Sequence, residues 1–227
     1  MKRYNIFNQV HKGLRALLHE TIVKLQQTDF TDAEDADEVV QQLQTVLDLF
    51  DEHAHTEDSY ILPAIAEFEP SVTDLFAQEH VQDLALSKQL HGLLQAFSWS
   101  ISPDAKQEIG AAISKAFFEF TLFNLEHMKK EEDVLNKLLW RYFDDAHLHG
   151  ITATIIAKVP SDKMPLYNKW MMRGLSNIEI IQWLKQVKNN APDFVFQSFI
   201  GLAMAELSEN RWQKIQEQLT EGAMLAS

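Results

Sequence analysis

Two short segments with the same pattern decide the fold: EHAHTED at residues 52–58 and EHMKKEE at residues 126–132. In each, a histidine is followed four residues later by a glutamate, giving the pairs His53–Glu57 and His127–Glu131. Residues four apart lie one turn apart on the same face of an α-helix. Each segment therefore predicts a helix on which an imidazole and a carboxylate can reach the same ion.

Both pairs lie on faces that are otherwise apolar, and two further histidines, His11 and His80, lie on apolar faces of their own. A carboxylate that faces a protein core is costly unless it is paired or bound to a cation. No lysine or arginine lies on these faces, so the two inward glutamates predict a metal ion. The apolar positions are Leu43, Val46, Phe50 and Ile61 for the first pair, Ile113, Phe117, Phe120 and Leu135 for the second, Phe7 and Leu14 around His11, and Phe76 and Leu84 around His80.

The apolar periodicity predicts an all-α fold whose first 143 residues form an up-down-up-down four-helix bundle. Ser71 with Asp74 resembles a capping box, and Ser102-Pro103 is typical of a helix start. Pro63 and Pro70 are expected to bound a short turn at residues 64–68. The expected helices are Ile6 to about Gln27, Ala36 to Tyr60, Ser71 to Trp99, and Ser102 to Phe143.

Residues 144–227 have a different character, with shorter helical segments that are rich in aromatic residues. We expect this region to be an extension that docks on the bundle or forms the contact of a homo-oligomer, because its aromatic side chains need another surface to cover them. Ser176 with Glu179 is a full capping box. The expected helices are Ala146–Lys158, Lys163–Arg173, Ile178–Lys188, Phe194–Leu207 and Glu209–Leu219.

Composition limits the classes of function. The 227 residues carry a formal net charge of −13, which disfavours binding to nucleic acid and to anionic membranes. Cysteine is absent, so neither disulfides nor thiolate metal sites can form. With no apolar leader and no long apolar run, the expected location is the cytoplasm.

The bundle topology brings the candidate ligands to one level. The starts of the odd-numbered helices and the ends of the even-numbered helices share one end of an up-down-up-down bundle. His11 and His80 lie near such starts, whereas His53–Glu57 and His127–Glu131 lie near such ends. Two histidines and one glutamate from each half suit two metal ions bridged by the glutamates.

This arrangement resembles the hemerythrin-like, or HHE cation-binding, domains. The resemblance rests on His11, the segment His53 to Asp58 followed by Pro63, the pair Glu79-His80, and the segment His127 to Glu132. It covers roughly residues 5–140. It implies a non-haem di-iron centre, with an oxo or hydroxo bridge, that serves O₂ carriage, O₂ or redox sensing, or iron handling.

The sequence departs from the O₂-carrying members at Leu84, where they have a further histidine one turn after the third-helix histidine. Four histidines and two carboxylates are closer to the iron- and redox-sensing members. The ferritin-like pattern needs two Glu-x-x-His motifs, and Glu52–His55 is the single example here. Each half also supplies the two histidines and one carboxylate of a mononuclear site, which leaves open whether one or two ions bind.

These sequence features are compatible with three functions. The first is a protein that binds or senses O₂, a related small oxidant such as peroxide, a diatomic ligand, or iron. The second is a di-iron enzyme acting on peroxide or NO, and the third is a metal-free helical interaction module. The ligand types also suit zinc or manganese, so the choice of iron depends on the resemblance. We expect His91 to be a core residue and His19, His55, His147 and His149 to lie outside the ligand set.

Overall fold

The computed structural model describes residues 3–224, apart from the side chains of residues 221–224. This part of the chain contains nine helices and no strand, which confirms the all-α prediction. None of its helices has both the length and the apolar character needed to cross a membrane. The helices are α1 (Asn8–Gln27), α2 (33–66), α3 (Pro70–Trp99), α4 (103–142), α5 (Asp145–Lys158), α6 (Met164–Gly174), α7 (Asn177–Asn190), α8 (Asp193–Glu206) and α9 (Glu209–Met224).

Helices α1 to α4 form the bundle, with α1 against α2 and α4, and α3 against α2 and α4. Two apolar clusters fill its interior at different heights. The larger cluster includes Leu17, Leu47 and Phe117, and the smaller one includes Phe76 and Leu135. The layer of histidines and glutamates lies between the two clusters, so its polar groups are closed off at both ends.

Helix α2 extends beyond the expected end at Tyr60, whereas α4 matches its expected bounds to within one residue, and each of the two helices contains one π-helical turn. The turns are Glu57–Ile61 and Glu131–Leu135, and the amides of Leu62 and Asn136 donate to the carbonyls of Glu57 and Glu131, respectively. The expected turn at residues 64–68 is wrong, since α2 continues to residue 66. Pro63 is tolerated because it falls in the first turn of the α-helical segment that follows the π turn.

The start of α3 and part of its inward face differ from the prediction. The helix begins at Pro70, and its N-terminal cap carries no side-chain hydrogen bond, so the capping role expected for Ser71 is wrong. Leu84 is 45% exposed and His91 is also exposed, while Asp83 and Ser87 are buried. Two inward positions in the middle of this helix are therefore polar, and the apolar pattern gave the wrong inward residue there.

The helices after residue 144 pack against the bundle mainly through α6, which lies along α1. The Tyr167 hydroxyl donates to the carbonyl of Leu49 at 2.6 Å, and Trp170 joins the larger bundle cluster. Helices α6 to α9 also share a third apolar cluster, built around Ile180 and Leu184. The boundary at residues 143 and 144 stays a prediction. The Ser176–Glu179 capping box is confirmed.

Candidate metal centre

The structure brings all six predicted ligand residues into one buried layer. His11 and His53 form one pair of histidines, with ring centroids 5.0 Å apart, and His80 and His127 form the other, with centroids 4.9 Å apart. The exposed fractions are 0% for His11 and Glu131, 2% for Glu57, 5% for His127, 6% for His80 and 8% for His53. The interior of the bundle thus holds six polar side chains at one level.

Each glutamate lies between the two histidine pairs. Glu57 Oε1 lies 3.2 Å from His53 Nε2, and its Oε2 lies 3.4 Å from His80 Nε2. In the same way, Glu131 Oε1 lies 3.2 Å from His127 Nε2, and its Oε2 lies 3.3 Å from His11 Nε2. Both carboxylates can therefore bridge two ions, one held by each histidine pair.

The donor set fits a metal better than it fits a hydrogen-bond network. Both oxygens of Glu57 and both oxygens of Glu131 are buried without a hydrogen-bond partner in the described part of the chain, and so is His80 Nε2. Leaving such groups unpaired is costly, whereas a cation would satisfy all of them. Within residues 3–224, two groups offer ligand atoms within 4.8 Å of one another: His11, His53, Glu57 and Glu131, and Glu57, His80, His127 and Glu131.

The π-helical turns explain part of this placement. Glu57 and Glu131 are the first residues of the two turns, so the backbone widens where each of these carboxylates enters the core. π turns are uncommon within α-helices and are frequent at functional sites. The His-x-x-x-Glu spacing remains helical before each turn, which keeps each histidine and glutamate on one face.

Three of the four histidines have a carboxylate behind the ring. Nδ1 of His80 lies 2.7 Å from Asp58, that of His127 lies 2.7 Å from Glu79, and that of His11 lies 3.0 Å from Glu132. Such a partner fixes the tautomer and orientation of the ring and strengthens it as a ligand. Arg15 pairs with Glu132 and Lys130 pairs with Glu79, so these carboxylates are held in place in turn.

Two of these three carboxylates, Asp58 and Glu132, cross between the halves of the bundle, which sequence reasoning did not anticipate. Asp58 follows Glu57 in α2 but contacts His80 of the second half. Glu132 follows Glu131 in α4 but contacts His11 of the first half. The adjacent acidic pairs 57–58 and 131–132 were a visible signal, but their partners depend on the packing of the helices.

His53 is the exception among the four histidines. Its Nδ1 has no hydrogen-bond partner within residues 3–224, whereas the related nitrogen of His127 has Glu79. Glu79 directly precedes His80, and the residue that directly precedes His11 is Val10. The two halves of the site are therefore unequal at this one position.

The contacts set the charge states of the metal-free site. Burial and the nearby Glu131 carboxylate raise the pKa of Glu57 well above its usual value. Burial alone would lower the pKa of His127, but the Glu131 and Glu79 carboxylates outweigh it and raise this pKa to about 9. Burial and the neighbouring His11 lower the pKa of His53 to about 3. Metal-free protein thus holds protons at positions that a metal would occupy.

The other histidines lie outside the ligand layer. His19 and His55 are exposed, as expected, and His91 is exposed rather than part of the core. His147 stacks on Phe143 and His149 stacks on Tyr4, with ring centroids 4.4 and 3.9 Å apart. The expected core role of His91 is wrong because Leu90 and Leu94 occupy the inward positions of α3 at that level, which leaves His91 facing outward.

Comparison with known proteins defines the class. The profile of the Hemerythrin HHE cation binding domain matches residues 3–139, which is more than half of the chain. The chain belongs to this family. Together with the buried cluster of histidines and glutamates, this membership defines a metal-binding protein.

Two curated proteins are similar to this chain. F-box/LRR-repeat protein 5 of Mus musculus is 27% identical over 173 residues, and that of Salmo salar is 25% identical over 172 residues. Each match covers 76% of this chain and 24% of the relative, so the chain spans about a quarter of the length of these relatives. Each match is longer than the family match, so the similarity reaches beyond residue 139.

Proposed function

We propose that the protein binds two iron ions and uses this non-haem centre to bind or sense O₂, a related small oxidant, or iron itself. His11 and His53 would hold one ion and His80 and His127 the other, with Glu57 and Glu131 as bridges. The observation that carries the proposal is the set of buried carboxylate oxygens that lack hydrogen-bond donors and lie between two histidine pairs.

Six protein ligands shared by two ions leave the coordination of each ion incomplete. Bound iron would supply an open position for a small ligand and a change of redox state. The role of this chain is to hold the ligands rigidly and to exclude bulk water with the apolar clusters above and below them. The cytoplasm, with its supply of reduced iron, is the location we propose.

The choice of iron over zinc or manganese is supported by family membership and can be tested directly. Because Zn²⁺ outcompetes Fe²⁺ at most nitrogen and oxygen sites in an equal mixture, the protein is instead produced in cells grown in a medium with defined iron, manganese and zinc, and the metals that it carries after gel filtration are counted. We expect two iron ions per chain and, after exposure to air, absorption in the near ultraviolet and visible from the ferric pair. A chain that retains zinc or manganese instead of iron would overturn the assignment of iron while leaving the ligand set intact.

A turnover assay separates binding from catalysis. The iron-loaded protein is mixed with a reductant and with hydrogen peroxide or NO, and consumption of the oxidant is followed. We expect at most a few molecules of oxidant consumed per iron pair, as for a binding or sensing centre. Sustained consumption would instead make the protein a di-iron enzyme acting on peroxide or NO.

A further inference from the structure

A cavity of about 430 Å³ lies between the bundle and the C-terminal helices. Its walls include Val10 of α1, Ile155 of α5, Met164 of α6 and Val187 of α7. His53 and Glu57 are also among its lining residues. The cavity therefore connects the C-terminal helices with one side of the candidate metal centre.

The cavity is largely apolar, and its lining contains no lysine or arginine. Tyr4 and Tyr167 also line it, but their hydroxyls are already hydrogen-bonded, to Thr152 and to the carbonyl of Leu49. The polar groups that remain include the amide side chains of Asn5 and Asn168. An anionic ligand would find no positive partner here, and the net charge of −13 would repel it.

The asymmetry of the metal centre coincides with the cavity. Val10, which occupies the position equivalent to Glu79, lines the cavity, and so does His53. A glutamate at this position would place a carboxylate behind the ring, as Glu79 does for His127. The half of the site that lacks this carboxylate is thus the half that opens onto apolar space.

We propose that this cavity binds a neutral, largely apolar organic molecule, one end of which lies beside His53 and Glu57. Its volume falls within the range of about 300–1,000 Å³ that is typical of small-molecule sites. A diatomic molecule or a single water, which takes up about 30 Å³ in the liquid, would leave most of it unfilled. Neutral amides and an apolar wall suit a long alcohol or a similar molecule with one small polar group. The placement beside a metal rests on the proposed function, but the cavity itself does not.

Binding is tested on the metal-free full chain with N-phenyl-1-naphthylamine, a neutral apolar probe that fluoresces when it leaves water. We expect saturable binding of one probe per chain. 1-Dodecanol should displace the probe, and dodecanoate, which has a similar chain but a negative charge, should do so at least tenfold less well. Absence of saturable binding, or equal displacement by dodecanoate, would overturn the proposal.

Two pairs of substitutions locate the probe. Val159→Phe combined with Val187→Phe narrows the cavity and should weaken binding at least tenfold. Val23→Phe combined with Val81→Phe makes the same chemical change at exposed positions and should leave binding unchanged. Unchanged binding in the folded cavity variant would show that the probe lies elsewhere and would overturn the proposal.

A second measurement does not depend on the folding of the cavity variant. Trp183 lines the cavity, whereas Trp99 is 74% exposed on α3. Trp183→Phe should reduce the probe emission excited through tryptophan more than Trp99→Phe does. In imidazole ¹⁵N spectra of the unsubstituted chain, 1-dodecanol should shift the signals of His53 more than those of His127. Equal loss of emission in the two tryptophan variants, or equal shifts of the His53 and His127 signals, would contradict the placement of the ligand in this cavity.

The experiments can overturn the cavity proposal and the di-iron proposal independently of each other. Probe binding by metal-free protein that does not take up iron would leave the cavity proposal standing and remove the di-iron proposal. Iron uptake without probe binding would leave the di-iron proposal standing and overturn the cavity proposal.

Discussion

Glu57 and Glu131 offer carboxylate oxygens within 4.8 Å of each other in the core, and each is the first residue of a π-helical turn. One comes from the first half of the bundle and the other from the second half. Neither carboxylate has a hydrogen-bond donor in the described part of the chain. Two buried carboxylates so close together are stable near neutral pH only with a proton or a metal between them.

Substitution of the ligand histidines tests the inward register of α2 and α4. We expect His53→Ala or His127→Ala to remove at least half of the bound metal, because each deletes one of the two histidines of a half-site. His55→Ala is the matched control, since His55 is exposed two residues from His53. Metal content is measured by plasma mass spectrometry. Loss of metal in His55→Ala with retention in His53→Ala would show that the register is wrong.

Substitution of a bridging glutamate should separate stability from metal binding. We expect Glu57→Gln to stabilise metal-free protein at pH 7 by about 1–3 kcal/mol, because it removes a buried carboxyl that must take up a proton on folding. The same change should lower the iron content. Glu119→Gln, at an exposed position of α4, is the control for both measurements. A metal-free Glu57→Gln chain less stable to urea than the unsubstituted chain would contradict this account.

The charge states predict how stability depends on pH. The pKa of His127 is raised to about 9, so its contribution to the stability of metal-free protein is complete below the usual value of 6.5 and is lost as the pH rises to about 9. The raised pKa of Glu57 acts in the same direction. Metal binding requires both groups to lose their protons. The difference in Tm between metal-loaded and metal-free protein should therefore grow from pH 6.5 to 9, and a constant difference would count against the assignment.

The carboxylate behind His127 should tune metal affinity without binding metal itself. We expect Glu79→Gln to lower the affinity for Fe²⁺ by about 10- to 100-fold, as is typical for carboxylates that orient a histidine ligand. Glu126→Gln is the matched control, because Glu126 is exposed although it directly precedes His127. Affinity is measured by competition with a chelator. Equal affinities for the two variants would show that Glu79 does not orient the ring.

Glycine-to-alanine substitutions test how much the contact between α1 and α6 contributes to stability. A side chain at Gly174 would overlap the carbonyl oxygen of Lys12, whereas one at Gly92 would meet nothing within 4 Å. Gly174→Ala should lower the free energy of unfolding by separating the two helices. Gly92→Ala should raise it by about 0.5–1 kcal/mol, since alanine loses less entropy in a helix. If Gly174→Ala were as stable as Gly92→Ala, the α1–α6 contact would contribute little to stability.

The sequence predicted that the candidate histidines and glutamates share one buried layer, because two strong signals agreed there. Helical periodicity fixed which residues face inward, and the charged residues on that face were too costly to be explained by packing alone. In the structure, His53, Glu57, His127 and Glu131 all face the core, as both signals predicted.

The sequence could not predict the surroundings of the layer. On α3 the inward residues Asp83 and Ser87 are polar, and they are satisfied by Asn124 and Asp51 from neighbouring helices, so apolar periodicity pointed to Leu84 instead. Helix α2 continues beyond Pro63 because a π turn precedes this proline, whereas the sequence pattern predicted that the helix ends before it. Such features depend on contacts between helices rather than on spacing along one helix.

Anomalous diffraction at the iron absorption edge, from crystals of the iron-loaded protein, tests the central claim most directly. We predict two anomalous peaks in each chain, one beside His11 and His53 and the other beside His80 and His127, with Glu57 and Glu131 between them. A single peak, or density confined to the surface histidines such as His147 and His149, would contradict a di-iron centre in the bundle.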